Sequence, residues 1–241
     1  MRILIVNDDS IHAPGLALLA EAAMELGEVW VVAPASQCSA MSQKLSIQGS
    51  LKAEKAAGFP VPVKEAWQIH GSPADCVKTA LQYIMAEKPD YVFSGINDGC
   101  NAGFEIAYSG TLGAAFEAVM NGIPAMAFSN AYGAGLDTAR QYLGTLIHQL
   151  LAAGQSPGEV WNINFPDRTP EQLKGILWNR SIAPTGMVNT RYVGTPLPDG
   201  TVSLDIQVDL VSVHDQIPEG TDVSAVLNGY ISIGKVRCPV L

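Results

Sequence analysis

Two adjacent carboxylates, Asp8 and Asp9, close an apolar run at residues 3–6 and sit inside the segment Asn7-Asp8-Asp9-Ser10. Side by side at ~4 Å, in an effective dielectric of ~20, two such charges repel by roughly 4 kcal/mol. Only Arg2 and His12 lie near enough in sequence to offset that repulsion. Either the two side chains point apart into water, or something positive sits between them. Carboxylate, hydroxyl and amide oxygens are hard ligands suited to Mg²⁺ or Mn²⁺ rather than to zinc. One reading is therefore a single divalent ion held by Asp8, Asp9, Asn97 and a serine of the polar stretch at residues 36–46. The other is a solvated strand-to-helix turn, where Asp and Asn are common.

A second cluster begins at Gly95. Gly95, Gly99 and Gly103 let the backbone fold tightly and approach a ligand closely, and Asn97 and Asp98 lie among them. Ser109-Gly110-Thr111 then precede an Ala-rich helical stretch at residues 112–120. Hydroxyls and free N–H groups at a helix start suit a phosphate, although a plain Ser-capped helix gives the same residues. Other polar residues have simpler roles. His12 lies at a helix entry, and His70, His148 and His214 show no ligand spacing. Cys100 is expected to pack as a small thiol, and Asp75, after Ser72-Pro73-Ala74, to cap a helix.

The elements that must position these residues follow from periodicity. Residues 3–6, 29–33, 67–70, 91–94, 123–129 and 160–165 are apolar, β-rich runs. Helical stretches intervene at 14–26 (stopped by Gly27), 72–85, 110–121 and 137–153. Strands alternating with helices imply a parallel sheet with right-handed crossovers, and ligands of such sheets bind at the carboxyl ends of the strands. That rule places residues 7–9, 36–46 and 95–97 on one edge. After Lys174 the pattern changes: Val202, Leu204, Ile206 and Val208 alternate within 201–213, as in an antiparallel ribbon added to the sheet. A short helix at 221–228 and a last strand at 230–236 follow. The expected architecture is one α/β domain over 1–241, a Rossmann-like three-layer parallel sheet with a ribbon at about 180–215 that serves oligomerisation.

Bulk properties exclude other classes. Hydrophobic residues make up 48% and charged residues 15%, as in a core-rich globular chain. A net charge of -9, from 23 acidic and 14 basic residues, argues against a nucleic-acid or membrane-surface binder. The four cysteines never form a C-x-x-C pair, and no signal peptide or membrane span is evident, so a cytoplasmic protein is expected.

The motifs NDD, IHAPGL, VVAP, GSPADCVK, SGIN-x-G-x-N-x-G, YSGT-x-GAA-x-EA, GIPA and NINFP occur in this order and resemble the SurE family of nucleotidases. The resemblance runs from Met1 to about Pro166 and returns near Thr221 and Gly229. It implies a Rossmann-like fold and a divalent-metal phosphomonoesterase that converts nucleoside monophosphates to nucleoside and phosphate. A 5′-nucleotidase is implied first, with 3′-nucleotidase or exopolyphosphatase activity in addition. Carried over residue by residue, it implies metal ligands Asp8, Asp9, Ser39 and Asn97, with phosphate contacts on Asn97, Ser109, Gly110 and Thr111. It also implies that Asp8, Asp9 and Asn97 form the catalytic set and that the assembly is a homodimer or homotetramer.

The chain departs from the family pattern at three places. Ser10 replaces a glycine, Ala35 an acid, and Gln43 a histidine. A histidine there could protonate a leaving alkoxide near neutral pH, whereas glutamine only donates a hydrogen bond; a mobile loop residue is the alternative. Two other functions fit the same residues: a nucleotide- or metal-binding module weakened in catalysis by its altered loop, and a haloacid-dehalogenase-like phosphatase. The latter wants D-x-D, and here the acids are adjacent.

Overall fold

The computed structural model describes residues 1–212 and 216–241. In chain order its elements are β1 (Arg2–Val6), α1 (Pro14–Ala23), β2 (Glu28–Pro34), β3 (Ala53–Lys55), β4 (Glu65–Ile69), α2 (Pro73–Thr79), β5 (Tyr91–Asp98), α3 (Gly110–Met120), β6 (Ala125–Asn130), α4 (Asp137–Ala153), β7 (Glu159–Phe165), β8 (Ile176–Leu177), β9 (Val188–Pro196), β10 (Val202–Leu210), α5 (Asp222–Leu227) and β11 (Ile231–Arg237). Among the described residues, no helix is long and apolar enough to cross a membrane.

Nine strands form one sheet in the order β3-β4-β2-β1-β5-β6-β7-β11-β8. β1 explains the layering: Ile3 and Ile5 join the core under α1 and α4, while Leu4 and Val6 join the core under α2 and α3. Where a strand is buried on both faces it must be apolar, which is why no polar residue stands between Ile3 and Val6. The chain builds outward from β1 through β2 to β4, then returns to pair β5 with the other side of β1. The switch point between β1 and β5 therefore receives the polar segments that follow both strands.

The sheet is mostly parallel, with two exceptions. The short edge strand β3 runs antiparallel to β4, and its Ala-Glu-Lys sequence carries no β signal. β11 runs antiparallel to β7 and parallel to β8, so the last strand enters the sheet interior. The helix expected at 72–85 is α only to Thr79 and continues as a wider π turn over Ala80–Ile84. His214 and the predicted ribbon end at Val213 lie outside the described residues.

The ribbon is a hairpin of β9 and β10 in its own two-stranded sheet, not added to the main one. Its register places Leu204 opposite Gly194, Ile206 opposite Tyr192 and Val208 opposite Thr190. Val202, Leu204, Ile206, Val208 and Leu210 thus share one face with Val188, Tyr192 and Pro196. Every residue of β10 is exposed, Ile206 by 64% and Leu210 by 79%. The hairpin does not fold back over its own sheet, and such a face is rare on a monomer. We propose that a second copy of the chain covers it, because a two-fold axis would set the same apolar face of both copies against each other. Light scattering should then give at least twice the 25.5 kDa chain mass. Replacing residues 188–210 with a short Gly-Ser linker should return a folded monomer, since Val188 and Leu210 are paired neighbours. A monomeric intact chain at micromolar concentration would refute the assignment.

Candidate functional site

β1 delivers Asp8 and Asp9 to the switch point, and β5 delivers Asn97 and Asp98 beside them. The β5 register slips between Ser94 and Asn97, a bulge that re-aims Asn97. Gly95 stands in that bulge at φ 133°, and a Cβ there would lie 2.2 Å from the Phe128 carbonyl oxygen. Only glycine fits. Asn97 Nδ2 donates to the Gly99 carbonyl at 2.6 Å, which turns its Oδ1 away from that bond.

Asp8 is 4% exposed and packs against the first turn of α3. Thr111 Oγ1 donates to Asp8 Oδ1 at 2.7 Å, and a Cβ on Gly110 would stand 2.9 Å from Asp8 Cβ. The carboxylate therefore faces the positive end of α3. Burial pushes its pKa up from 3.8 to about 6; the Thr111 hydroxyl and backbone N–H oppose the rise, and the neighbouring Asp9 adds to it. Asp9, half-buried, is also raised by burial, although its Oδ2 accepts the Asp98 N–H at 2.7 Å. Among the described residues neither acid has an ion-pair partner. Nor do three His, Cys, Asp or Glu side chains converge there. A cation at this point would have to complete its shell with amide and hydroxyl oxygens.

The donors expected free at the start of α3 are partly engaged. Ser109 Oγ accepts the Leu112 N–H at 3.1 Å as an ordinary cap, leaving its O–H to donate. Thr111 has spent its hydroxyl on Asp8, so it serves the carboxylate directly and a phosphate only indirectly. The residues alone show Thr111 at a helix start, where a phosphate is expected; its contact with β1 comes only from the fold.

Residues 36–46 form a strap pinned at both ends. Cys38 N–H donates to the Asp8 carbonyl at 2.7 Å, which brings the strap to the site, and the next residue, Ser39, is exposed. Farther along, Ser42 N–H and Oγ bond the Tyr108 and Ala107 carbonyls at 2.9 and 2.8 Å. Gly113 of α3 admits the Ser42 carbonyl oxygen 2.2 Å from where a Cβ would be. Ser46 donates twice to Asp75, at 2.9 and 2.8 Å, and Asp75 closes a capping box with Ser72. Burial alone would raise the Asp75 pKa, but the bonds from Ser46 and Ser72 outweigh it and hold the carboxyl below its usual range.

Gln43, in place of the family's histidine, packs its backbone against Gly113 and turns its amide along α3. Its Nε2 donates to buried Glu117 Oε2 at 3.3 Å, nearly two turns of α3 beyond Gly110, roughly 10 Å along the axis. In this arrangement the Gln43 amide ties the strap to α3. Ser10 is different in kind: it adopts φ 96°, a conformation that favours glycine, and Asn7 Nδ2 steadies it by donating to its carbonyl at 2.8 Å. Cys100, pushed up to about 12 chiefly by burial, is an inert packed thiol, and His12 and His148 are exposed.

Beyond the expected residues, the structure adds Asp98 and Asn130. Asp98 supports Asp9 through its N–H and accepts the Gly133 N–H on Oδ1 at 2.8 Å. Its adjacency to Asn97 was the available signal. Asn130, at the end of β6, joins Asp9, Asn97 and Asp98 in lining a cavity of about 460 Å³. Nothing in its local sequence marked it.

A mostly parallel three-layer α/β sheet with an unpaired carboxylate pair at its switch point defines an α/β protein with an oxygen-lined site. The chain belongs to the SurE family: the family model "Survival protein SurE" matches residues 3–185. Proteins named "5′-nucleotidase SurE" from Methylobacterium sp. (strain 4-46) and Azorhizobium caulinodans are 36% and 40% identical to it. Each alignment covers 98% of this chain, and 93% and 92% of those proteins. The SurE protein from Aquifex aeolicus, a crystal structure, superposes with a TM-score of 0.84 at 32% identity, over 100% of this chain and 95% of that one.

The Asp8 shift, from 3.8 to about 6, makes its ionisation in the folded state cost on the order of 3 kcal/mol. With the folded pKa above the unfolded one, stability from this group is present below about pH 4 and lost as pH rises through 6. Urea denaturation in a chelator should therefore show Asp8→Asn gaining on the wild type between pH 4 and 6, then levelling off. A stability difference that does not change with pH would contradict the burial described.

Proposed function

We propose that the chain is a divalent-metal-dependent phosphomonoesterase acting on nucleoside monophosphates, with 5′-monophosphates as the main substrates. The observation that carries this reading is the pair Asp8 and Asp9, buried and half-buried, without a protein cation, beside Asn97 and the start of α3. The names of its relatives support a nucleotide as the substrate.

The donor set fits a hard divalent cation such as Mg²⁺ or Mn²⁺. A buried and a half-buried carboxylate stand next to each other, and Asn97 Oδ1 is released by the bond its amide makes to Gly99. Asp8, Asp9 and Asn97 would hold it, with Ser39 added from the strap. A divalent cation bound there supplies Lewis-acid stabilisation of phosphoryl charge and a water acidic enough to deprotonate near neutral pH. Thr111 fixes the Asp8 carboxylate by its 2.7 Å bond, and the Asp98 N–H does the same for Asp9. Ser109 O–H and the Gly110 N–H, at the positive end of α3, bind and orient the non-bridging phosphoryl oxygens as charge develops. The strap, pinned to Asp75 and Glu117 at its far end and to the Asp8 carbonyl at Cys38, holds Ser39 alongside the acids.

The test is phosphate release by the purified protein from nucleoside 5′- and 3′-monophosphates, sugar phosphates, an aryl phosphate and polyphosphate, with Mg²⁺, Mn²⁺ or a chelator. Metal-dependent release, greatest on 5′-monophosphates, is expected. Asp9→Asn should lose at least ~100-fold, since even outer partners of metal ligands cost 10–100-fold. Full activity of Asp9→Asn, or equal release in chelator, would overturn the reading. Metal and nucleotide binding without release would identify a binding module. Trapping of an aspartyl-phosphate would identify the dehalogenase-like chemistry.

A further inference from the structure

The cavity beside Asp9 lies on the α1 and α4 side of the sheet, away from Thr111. What it offers a ligand can be read atom by atom. Asp98 accepts the Gly133 N–H on Oδ1 and has Oδ2 left over. Asn97 Oδ1 is free because its amide is bound to Gly99. Asn130 is 2% exposed, and its Nδ2 faces three carbonyls, those of Ala131, Ala134 and Gly135, at 3.4, 3.1 and 3.3 Å. Those three acceptors fix which end of the amide is nitrogen. They leave Asn130 Oδ1 buried without any donor. A buried acceptor left unmatched costs free energy that a ligand donor recovers.

The lining is thus rich in acceptors, and with Asp9 and Asn97 turned to a cation, Asp98 and Asn130 are the ones left to a neighbouring ligand group; Gln37 and His12 also line it. A volume of about 460 Å³ is that of a small-molecule pocket. The complementary ligand fragment is neutral, compact and carries adjacent O–H donors.

We propose that this cavity binds the ribose of the substrate through its vicinal hydroxyls, with the buried carbonyl oxygen of Asn130 as the residue that selects a hydroxylated sugar. The inference rests on the nucleotide reading above and names the part of the substrate that reading leaves open. Asn130 Oδ1 accepts one hydroxyl and Asp98 Oδ2 the other, while the Asn130 amide nitrogen keeps the wall of the cavity in place through the 131–135 carbonyls. A deoxygenated sugar would leave Asn130 Oδ1 unpaired, and such analogues are rejected by sites built around a hydroxyl.

Binding and turnover are measured separately. The intact protein is titrated with adenosine and with 2′,3′-dideoxyadenosine, by calorimetry or ligand-observed NMR. Hydrolysis of the corresponding 5′-monophosphates is then compared with that of an aryl phosphate. Adenosine should bind about tenfold more tightly than the dideoxy compound, and kcat/KM should favour the ribonucleotide by a similar factor. Asn130→Ala should cut that preference to less than threefold. Asp98→Asn keeps the acceptor for Gly133 and replaces the other oxygen with a donor; it should do the same and decides the matter if Asn130→Ala does not fold. Equal affinity of the two nucleosides for the wild type, no binding of either at millimolar concentration, or an undiminished preference in both folded variants would overturn the proposal. Failure to release phosphate from the aryl phosphate or any nucleotide would instead count against the phosphatase reading, and the nucleoside titration would still decide this one.

Discussion

Asp8 leaves β1 with its carboxylate almost out of water, next to a second acid and against the first turn of α3. Two like charges cannot be kept there without compensation, and the surrounding architecture supplies it. The α3 macrodipole, the Thr111 hydroxyl at 2.7 Å and the Thr111 N–H all favour the ionised form, but burial still wins and lifts the pKa to about 6. To bring the helix start this close, residue 110 must lack a side chain. It must also fit against Pro73, whose Cγ would lie 3.2 Å from a Gly110 Cβ. The positions of β1, α2 and α3 are therefore set at one point, and that point is where a cation would bind.

Regular elements were readable because each carries its own periodicity. β1 is apolar from Ile3 to Val6 since both faces are covered there, and Ser72-Pro73 states the start of α2 directly. The Asp8–Asp9 pair and Asn97 could be placed on one edge by the rule for parallel sheets alone. β3 could not be seen, because Ala-Glu-Lys is held in the sheet by β4 rather than by its own preference. The antiparallel entry of β11 depends on a partner about 66 residues earlier, and no local feature reports direction.

The contacts that could not be read are those between distant segments. Gln43 meets Glu117 and Ser46 meets Asp75, pairs separated by 74 and 29 residues. Gly113 gives a weak hint, since a glycine inside a helix has a cost and usually a packing reason. The reason here is the Ser42 carbonyl. Ser10 shows the reverse case: comparison with the family pattern marked it, and its φ of 96° supplies the physical meaning, a side chain carried where the backbone prefers none. Asn130 escaped notice because an Asn at a strand end is unremarkable until its amide nitrogen is seen to be fully occupied.

The place of β11 has a consequence for how the molecule is made. Its partners are β7 on one side and β8 on the other, yet it is synthesised about 66 residues after β7 ends. At a translation rate of 5–20 residues per second, the open edge of β7 waits roughly 3–13 s for the strand that covers it. During that interval the nascent chain presents Val160, Trp161 and Ile163 along an unpaired edge, and the apolar ribbon is produced within the same window. Unpaired edges and exposed apolar ribbons are the surfaces that holding chaperones recognise and that aggregating chains share. The β7 edge therefore stays open until the ribosome has passed the ribbon and β11 can close the sheet.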